Sequence, residues 1–188
     1  MNIPNLLTWL RIVLIPLMVG IFFVPDAWAD PSEKNQAATF VFVLAAVTDW
    51  LDGWLARKLD QQSSFGAFLD PVADKLMVAA ALVVLVQLGR CHSVAAIIII
   101  GREIAISALR EWMAQIGRSK SVAVNALGKI KTIVQMIAIP LLLFHDNFLG
   151  LFEARALGDW FIWGAAVLTL VSMGYYLRAA LPLLRAEN

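Results

Sequence analysis

Thiols are almost missing from this chain: its 188 residues include one cysteine, Cys91. A lone thiol closes no internal disulfide and has no partner at metal-site spacing, which excludes a disulfide scaffold and a thiolate metal centre. Charge is scarce too, at 15% of residues where a soluble domain averages about 25%. The formal net charge is +1, a balance that argues against nucleic acid as a partner. Apolar residues take up the difference: 61% of the chain is hydrophobic and the mean hydropathy is +0.77. That is more apolar surface than one small core can bury. A disordered tail and an ordinary cytosolic enzyme are excluded, and an integral membrane protein remains.

A membrane-crossing helix needs about 20 mainly apolar residues. Six stretches qualify, near 12–25, 36–55, 71–89, 93–113, 124–145 and 158–181. The breaks between them carry turn chemistry, as in Asp30-Pro31-Ser32 and Gly117-Arg118-Ser119, and none is long enough for a soluble domain. The expectation is an all-α integral membrane protein with one domain over residues 1–188. Ahead of the first span, Asn5, Thr8 and Arg11 recur at helical spacing among Ile3, Leu6, Leu7 and Leu10, which predicts an amphipathic helix lying in the interface. Residues 1–29 also read as a signal peptide ending at Ala27-Trp28-Ala29, although an only charge at position 11 is unusual for one. With the N-terminus inside, twelve of the fifteen Lys and Arg residues fall on the inner side, leaving Lys34, Arg90 and Arg155 outside. The positive-inside rule therefore puts both termini in the cytoplasm.

The informative residues are those that break the apolar pattern. Asp49, Asp52, Asp70 and Asp74 fall at the inner ends of the second and third spans, where aspartates are costly. Asp49 and Asp52 are three residues apart, on one helix face. Gly66, Asp70 and Asp74 share a face if that segment is helical, and a short loop makes the two segments antiparallel neighbours. Four facing carboxylates repel, and two divalent cations would cancel their charge. Oxygen-only ligation with no His or Cys nearby favours Mg²⁺ or Mn²⁺, and a pair of such ions is a recurring device for displacement at phosphorus. Gly53 and Ala56 leave room for a ligand, and Arg57 adds a fixed positive charge. The plainer alternative is a set of solvated acids at a helix end, with Asp70 capping a helix that begins at Pro71.

The stretch Asp49-Trp-Leu-Asp52-Gly53-Trp-Leu-Ala56-Arg57, followed by Gly66-Ala-Phe-Leu-Asp70-Pro-Val-Ala-Asp74, resembles the signature of the CDP-alcohol phosphotransferases. The resemblance covers essentially the whole chain. It implies a six-helix membrane fold and metal ligation by Asp49, Asp52, Asp70 and Asp74. It also implies Asp74 as the base, and Asp52, Gly53, Ala56, Arg57 and Gly66 around the cytidine diphosphate.

The signature leaves the acceptor open. The segments Arg102–Arg110 and Gly128-Lys129-Ile-Lys131-Thr132 with Gln135 resemble the bacterial phosphatidylglycerophosphate synthases of this family. That resemblance implies CDP-diacylglycerol as donor, glycerol 3-phosphate as acceptor and CMP as leaving group. Arg102, Arg110, Lys129 and Lys131 are then candidates for the acceptor phosphate. The implied partners are these two substrates and the lipid bilayer of the bacterial inner (cytoplasmic) membrane, with the active site facing the cytoplasm and homodimer formation left open. Cardiolipin, phosphatidylserine and phosphatidylinositol-phosphate synthases share the core and remain alternatives. A divalent-cation transporter is disfavoured, because the acids cluster at one face with no polar continuation outward. His92, His145 and an Arg155–Asp159 pair read as interfacial groups without a catalytic role.

Overall fold

The computed structural model describes residues 3–59, 64–117, 126–148 and 152–186. Six helices account for nearly all of them: α1 (Ile3–Ile21), α2 (Pro31–Leu59), α3 (Ser64–Gln87), α4 (Ser93–Gln115), α5 (Ala126–Phe144) and α6 (Ala154–Ala186). The all-α expectation needs one addition. Between α5 and α6, β1 (Asn147–Phe148) pairs antiparallel with β2 (Phe152–Glu153), Phe148 opposite Phe152.

Local chemistry sets the helix ends. Asp30 and Glu33 form a capping box at the start of α2: Glu33 N donates to Asp30 Oδ1 at 2.9 Å, and Asp30 N donates to Glu33 Oε2 at 3.0 Å. Pro31 takes the first helical position, where its missing N–H costs nothing. His92 caps α4, its Nδ1 accepting from Val94 N, which gives this histidine a structural task. Gly89 and Gly117 stop α3 and α4 with φ of +67° and +72°, a conformation that glycine adopts without strain.

α1 departs from the expected arrangement. It runs unbroken from Ile3 to Ile21 with Pro16 inside it, so the interfacial segment and the first span are one helix. Thr8 and Arg11 are each only 1% exposed and face other helices. Leu6, Trp9, Leu10, Val13 and Leu17 cover the outer side. The same spacing suits an interfacial helix and a polar stripe turned toward a protein interior, and only a packed partner separates the two. α1 packs closely on both α2 and α3, which touch each other little. The helices expected to be direct neighbours are thus joined largely through α1.

The core is assembled from all six helices, with Met18, Phe42, Leu82, Ile99, Ile139, Leu142 and Ile162 almost fully buried. Large apolar side chains also line the outside of every helix, among them Val13, Phe40, Val83, Ile97, Ile133 and Val167. Among the described residues one stretch, Ala154–Arg178, is long and apolar enough by itself to cross a bilayer, and Leu6–Ile21 and Ile130–Phe144 are shorter apolar runs. At the end opposite the acidic motif, Arg90 Nη1 donates to Asn35 Oδ1 at 2.8 Å and to Leu143 O at 3.0 Å. Ser32 donates to Asp146. These bonds tie the start of α2 and the α3–α4 turn to the end of α5.

The contact of α5 with α6 depends on Gly158, where an added Cβ would lie 2.7 Å and 2.8 Å from side-chain atoms of Leu142 and 3.2 Å from its backbone N. Leu142 is fully buried and cannot step aside. Gly158→Ala should therefore lower the melting temperature in detergent, although helix propensity alone favours alanine by about 0.8–1.0 kcal/mol. Gly164→Ala on the same helix, with nothing within 4 Å of the added carbon, should leave it unchanged or raise it. A stabilised Gly158→Ala would contradict this packing.

Candidate active site

The acidic motif spans the end of α2 and the first half of α3. Because α3 begins at Ser64, Gly66, Asp70 and Asp74 lie within one continuous helix, four residues apart and on one face. Asp70 and Pro71 are interior to that helix, which removes the reading of Asp70 as a cap before Pro71. Gly66 is buried. Asp52, Gly53, Ala56 and Arg57 follow Asp49 along α2, but their side chains lie outside the described residues.

Two residues of α1 reach the two halves of the motif. Arg11 Nη1 is 2.6 Å from Asp49 Oδ1, the arginine buried and the carboxylate half-exposed. Thr8 Oγ1 donates to Asp70 Oδ1 at 2.5 Å. The sequence pattern by itself assigns neither residue to the site. The usable signal is a threonine and an arginine one turn apart in an apolar run, in a chain whose aspartates need partners.

Asp74 is flanked by charges of both signs. It feels repulsion from Asp49 and attraction from Arg11, Lys75 and Lys131. Asp74 and Lys131 both line a cavity of about 50 Å³, together with Lys75, Glu103, Thr132 and Gln135. Lys131, only 1% exposed, is ion-paired with Glu103 of α4. The same Glu103 oxygen lies 3.3 Å from Arg102 Nη1. Arg102 Nη2 in turn donates to Ser172 Oγ on α6 at 2.9 Å.

The four candidates for the acceptor phosphate therefore separate. Lys131 shares a cavity with Asp74, and Arg102 joins Lys131 through Glu103. Arg110 is two turns further along α4, where Nη2 donates to Tyr176 Oη at 3.0 Å and the guanidinium stacks on that ring. The side chain of Lys129 lies outside the described residues. Arg155 and Asp159 make no ion pair with each other. Both instead line a surface cavity with Arg90 and His92.

A divalent cation is tested here by its donor set. Asp49, Asp70 and Asp74 supply hard carboxylate oxygens free of competing sulfur or imidazole, which suits Mg²⁺ or Mn²⁺. Among the described residues no three such groups are gathered tightly enough to hold an ion, and the side chain of Asp52 lies outside the described residues.

Comparison with known proteins identifies the family. A family model described as CDP-alcohol phosphatidyltransferase matches residues 1–171. Proteins of Salmonella choleraesuis and Escherichia coli, both named CDP-diacylglycerol–glycerol-3-phosphate 3-phosphatidyltransferase, are each 49% identical to this chain over 183 residues. The matched region covers 95% of this chain and 94% of each relative.

If α1 holds the motif together, loosening it should reach the site. Arg11→Leu should speed amide hydrogen exchange along α1 and lower turnover at least about tenfold, the scale of a lost contact to a charged group. Arg11→Lys should recover part of both. Thr8→Val, nearly the same size, should have a smaller effect of the same kind. Unchanged exchange in Arg11→Leu would remove α1 from this role.

Proposed function

The chain belongs to the CDP-alcohol phosphatidyltransferase family, and from that premise we propose that it transfers the phosphatidyl group of CDP-diacylglycerol to sn-glycerol 3-phosphate. The products are phosphatidylglycerophosphate and CMP. The observation that carries this reading is the cavity shared by Asp74 and Lys131, a carboxylate able to take a proton beside a cation able to hold a phosphate.

The acceptor hydroxyl oxygen attacks the lipid-side phosphorus of the donor and forms the new P–O bond. The bond from that phosphorus to the bridging oxygen breaks, and CMP departs with the electron pair. Asp74 accepts the hydroxyl proton, as a general base within hydrogen-bond reach must. Asp49, Asp52, Asp70 and Asp74 would hold two Mg²⁺ or Mn²⁺ ions, which when bound neutralise the diphosphate oxygens and stabilise the leaving group. Thr8 and Arg11 hold Asp70 and Asp49 in place from α1. Asp52, Gly53, Ala56, Arg57 and Gly66 border the cytidine diphosphate. Lys131 is the principal group for the acceptor phosphate, with Arg102 behind it and Arg110 further along α4, and Lys129 is a further candidate. Glu103 occupies Lys131 before the acceptor arrives, so the incoming phosphate competes with a carboxylate already in position.

The same reading takes all six helices as membrane spans in a bacterial inner membrane, with both termini and the acidic motif on the cytoplasmic side. Its support is the positive-inside bias and the apolar outer surface of every helix. The donor's acyl chains then stay in lipid while its nucleotide reaches water.

Purified protein given CDP-diacylglycerol and a panel of alcohols should release CMP fastest with glycerol 3-phosphate, and chelation of divalent cations should stop it. Asp74→Asn should cost about 10²–10⁴-fold in kcat, the usual share of a general base. Lys131→Met should raise KM for glycerol 3-phosphate by about 10- to 150-fold, matching a charge-assisted contact of roughly 1.5–3 kcal/mol, and change donor KM little. Arg110→Met should do less. A panel in which plain glycerol reacts as well as its phosphate would refute the acceptor.

Sidedness is testable with single cysteines. Ser93→Cys, at the start of α4, should react with an impermeant thiol reagent from outside, and Ala114→Cys, near its end, only from inside. Cys91 contributes no background, since burial pushes its thiol up to about 11 and only the thiolate reacts. The reverse pattern would invert the topology.

A further inference from the structure

We infer that Gln135 is a specificity-determining residue for the acceptor: its amide oxygen accepts a hydrogen bond from the acceptor hydroxyl that does not react. This rests on the acceptor reading given above and adds a residue and a chemical group to it. Gln135 is only 3% exposed. Its Oε1 is buried with no hydrogen-bond partner, and the side chain lines the cavity that also holds Asp74, Glu103 and Lys131. Buried polar atoms are almost always satisfied, and one that is not calls for a reason. Packing supplies none, because Ile133 and Ile137 face outward, Ala138 and Ile139 fill the core, and a methionine would occupy a glutamine's volume at position 135.

The chemistry of the position narrows the ligand. An amide oxygen only accepts, so its partner must be a donor. Lys131, one turn earlier on the same helix face, disfavours a second cation there. A neutral donor remains, and the proposed acceptor offers one in its hydroxyls. A molecule whose phosphate lies at Lys131 and whose reacting hydroxyl lies at Asp74 crosses this cavity, and sn-glycerol 3-phosphate carries one further hydroxyl between those two ends. Three groups of the acceptor thus meet three groups of the protein. A water molecule would satisfy Oε1 equally well in the absence of acceptor, and the experiment separates that alternative.

The test is a cycle between residue and ligand with the full-length protein and CDP-diacylglycerol. Glycerol 3-phosphate is compared with 3-hydroxypropyl phosphate, the same acceptor without its middle hydroxyl, by kcat/KM for CMP release. The wild type should prefer glycerol 3-phosphate by about tenfold or more, as expected for a site built to bind a hydroxyl. Gln135→Met should lose most of that preference by slowing the natural acceptor, while turnover of the deoxy acceptor stays within about twofold, a direct sign that the fold and Asp74 are intact. Gln135→Leu, read the same way, serves if the methionine variant does not fold. An undiminished preference in either variant, or equal loss with both acceptors, would overturn the inference. A failed acceptor reading would look different: the wild type itself would not favour glycerol 3-phosphate over other alcohols.

Discussion

Arg11 sits fully buried in an apolar helix with the Asp49 carboxylate lying against it, 2.6 Å away. The rest of the site follows from that constraint. An ionised side chain withdrawn from water is tolerated only with a partner, so each charge in the helices dictates where another helix must go. Arg11 and Thr8 pull α1 onto α2 and α3, Glu103 draws α5 toward α4 through Lys131, and Arg102 reaches Ser172 on α6. Apolar packing alone would allow these helices to slide and rotate. The polar contacts fix their register, and they lie in the half of the bundle where the chemistry is proposed.

The arrangement also explains how carboxylates and cations coexist without cancelling one another. Asp74 is repelled by Asp49 and attracted by Lys131, while Lys131 is held by Glu103 on its other side. Read from α1 to α4, Arg11, Asp74, Lys131 and Glu103 alternate in sign, with a direct ion pair between Lys131 and Glu103. Replacing one member therefore exposes two others, which is why single substitutions along such a chain are not expected to add independently.

Much of this is legible in the sequence, and what is not has a common cause. The acidic motif stands out because aspartates at fixed intervals in an apolar chain are too costly to persist without a task, and the helical register of Gly66, Asp70 and Asp74 follows from spacing alone. Thr8 and Arg11 do not stand out in the same way, because their spacing describes a stripe on a helix and says nothing about what the stripe faces. Arg110 and Lys131 look equivalent for the same reason. Only the packing sends Arg110 to Tyr176 and Lys131 to the cavity of Asp74. Gln135 falls in the segment that resembles the phosphatidylglycerophosphate synthases, but the sequence gives it no role, since an unsatisfied atom can be recognised only once its surroundings exist.

The pairing of α1 with the motif carries a consequence for biogenesis. Thr8 and Asp70 are 62 residues apart in the chain, so at a synthesis rate of about 5–20 residues per second α1 leaves the ribosome about 3–12 seconds before its partner on α3. During that interval the motif it packs against is incomplete, and an arginine at a helix centre costs about 2.5–3.5 kcal/mol on insertion scales. α1 is therefore a poor stop on its own and a good one once α2 and α3 arrive. If α1 spans the bilayer as proposed, its commitment there and the assembly of the acidic motif become the same event, and a chain that fails to build one fails to secure the other.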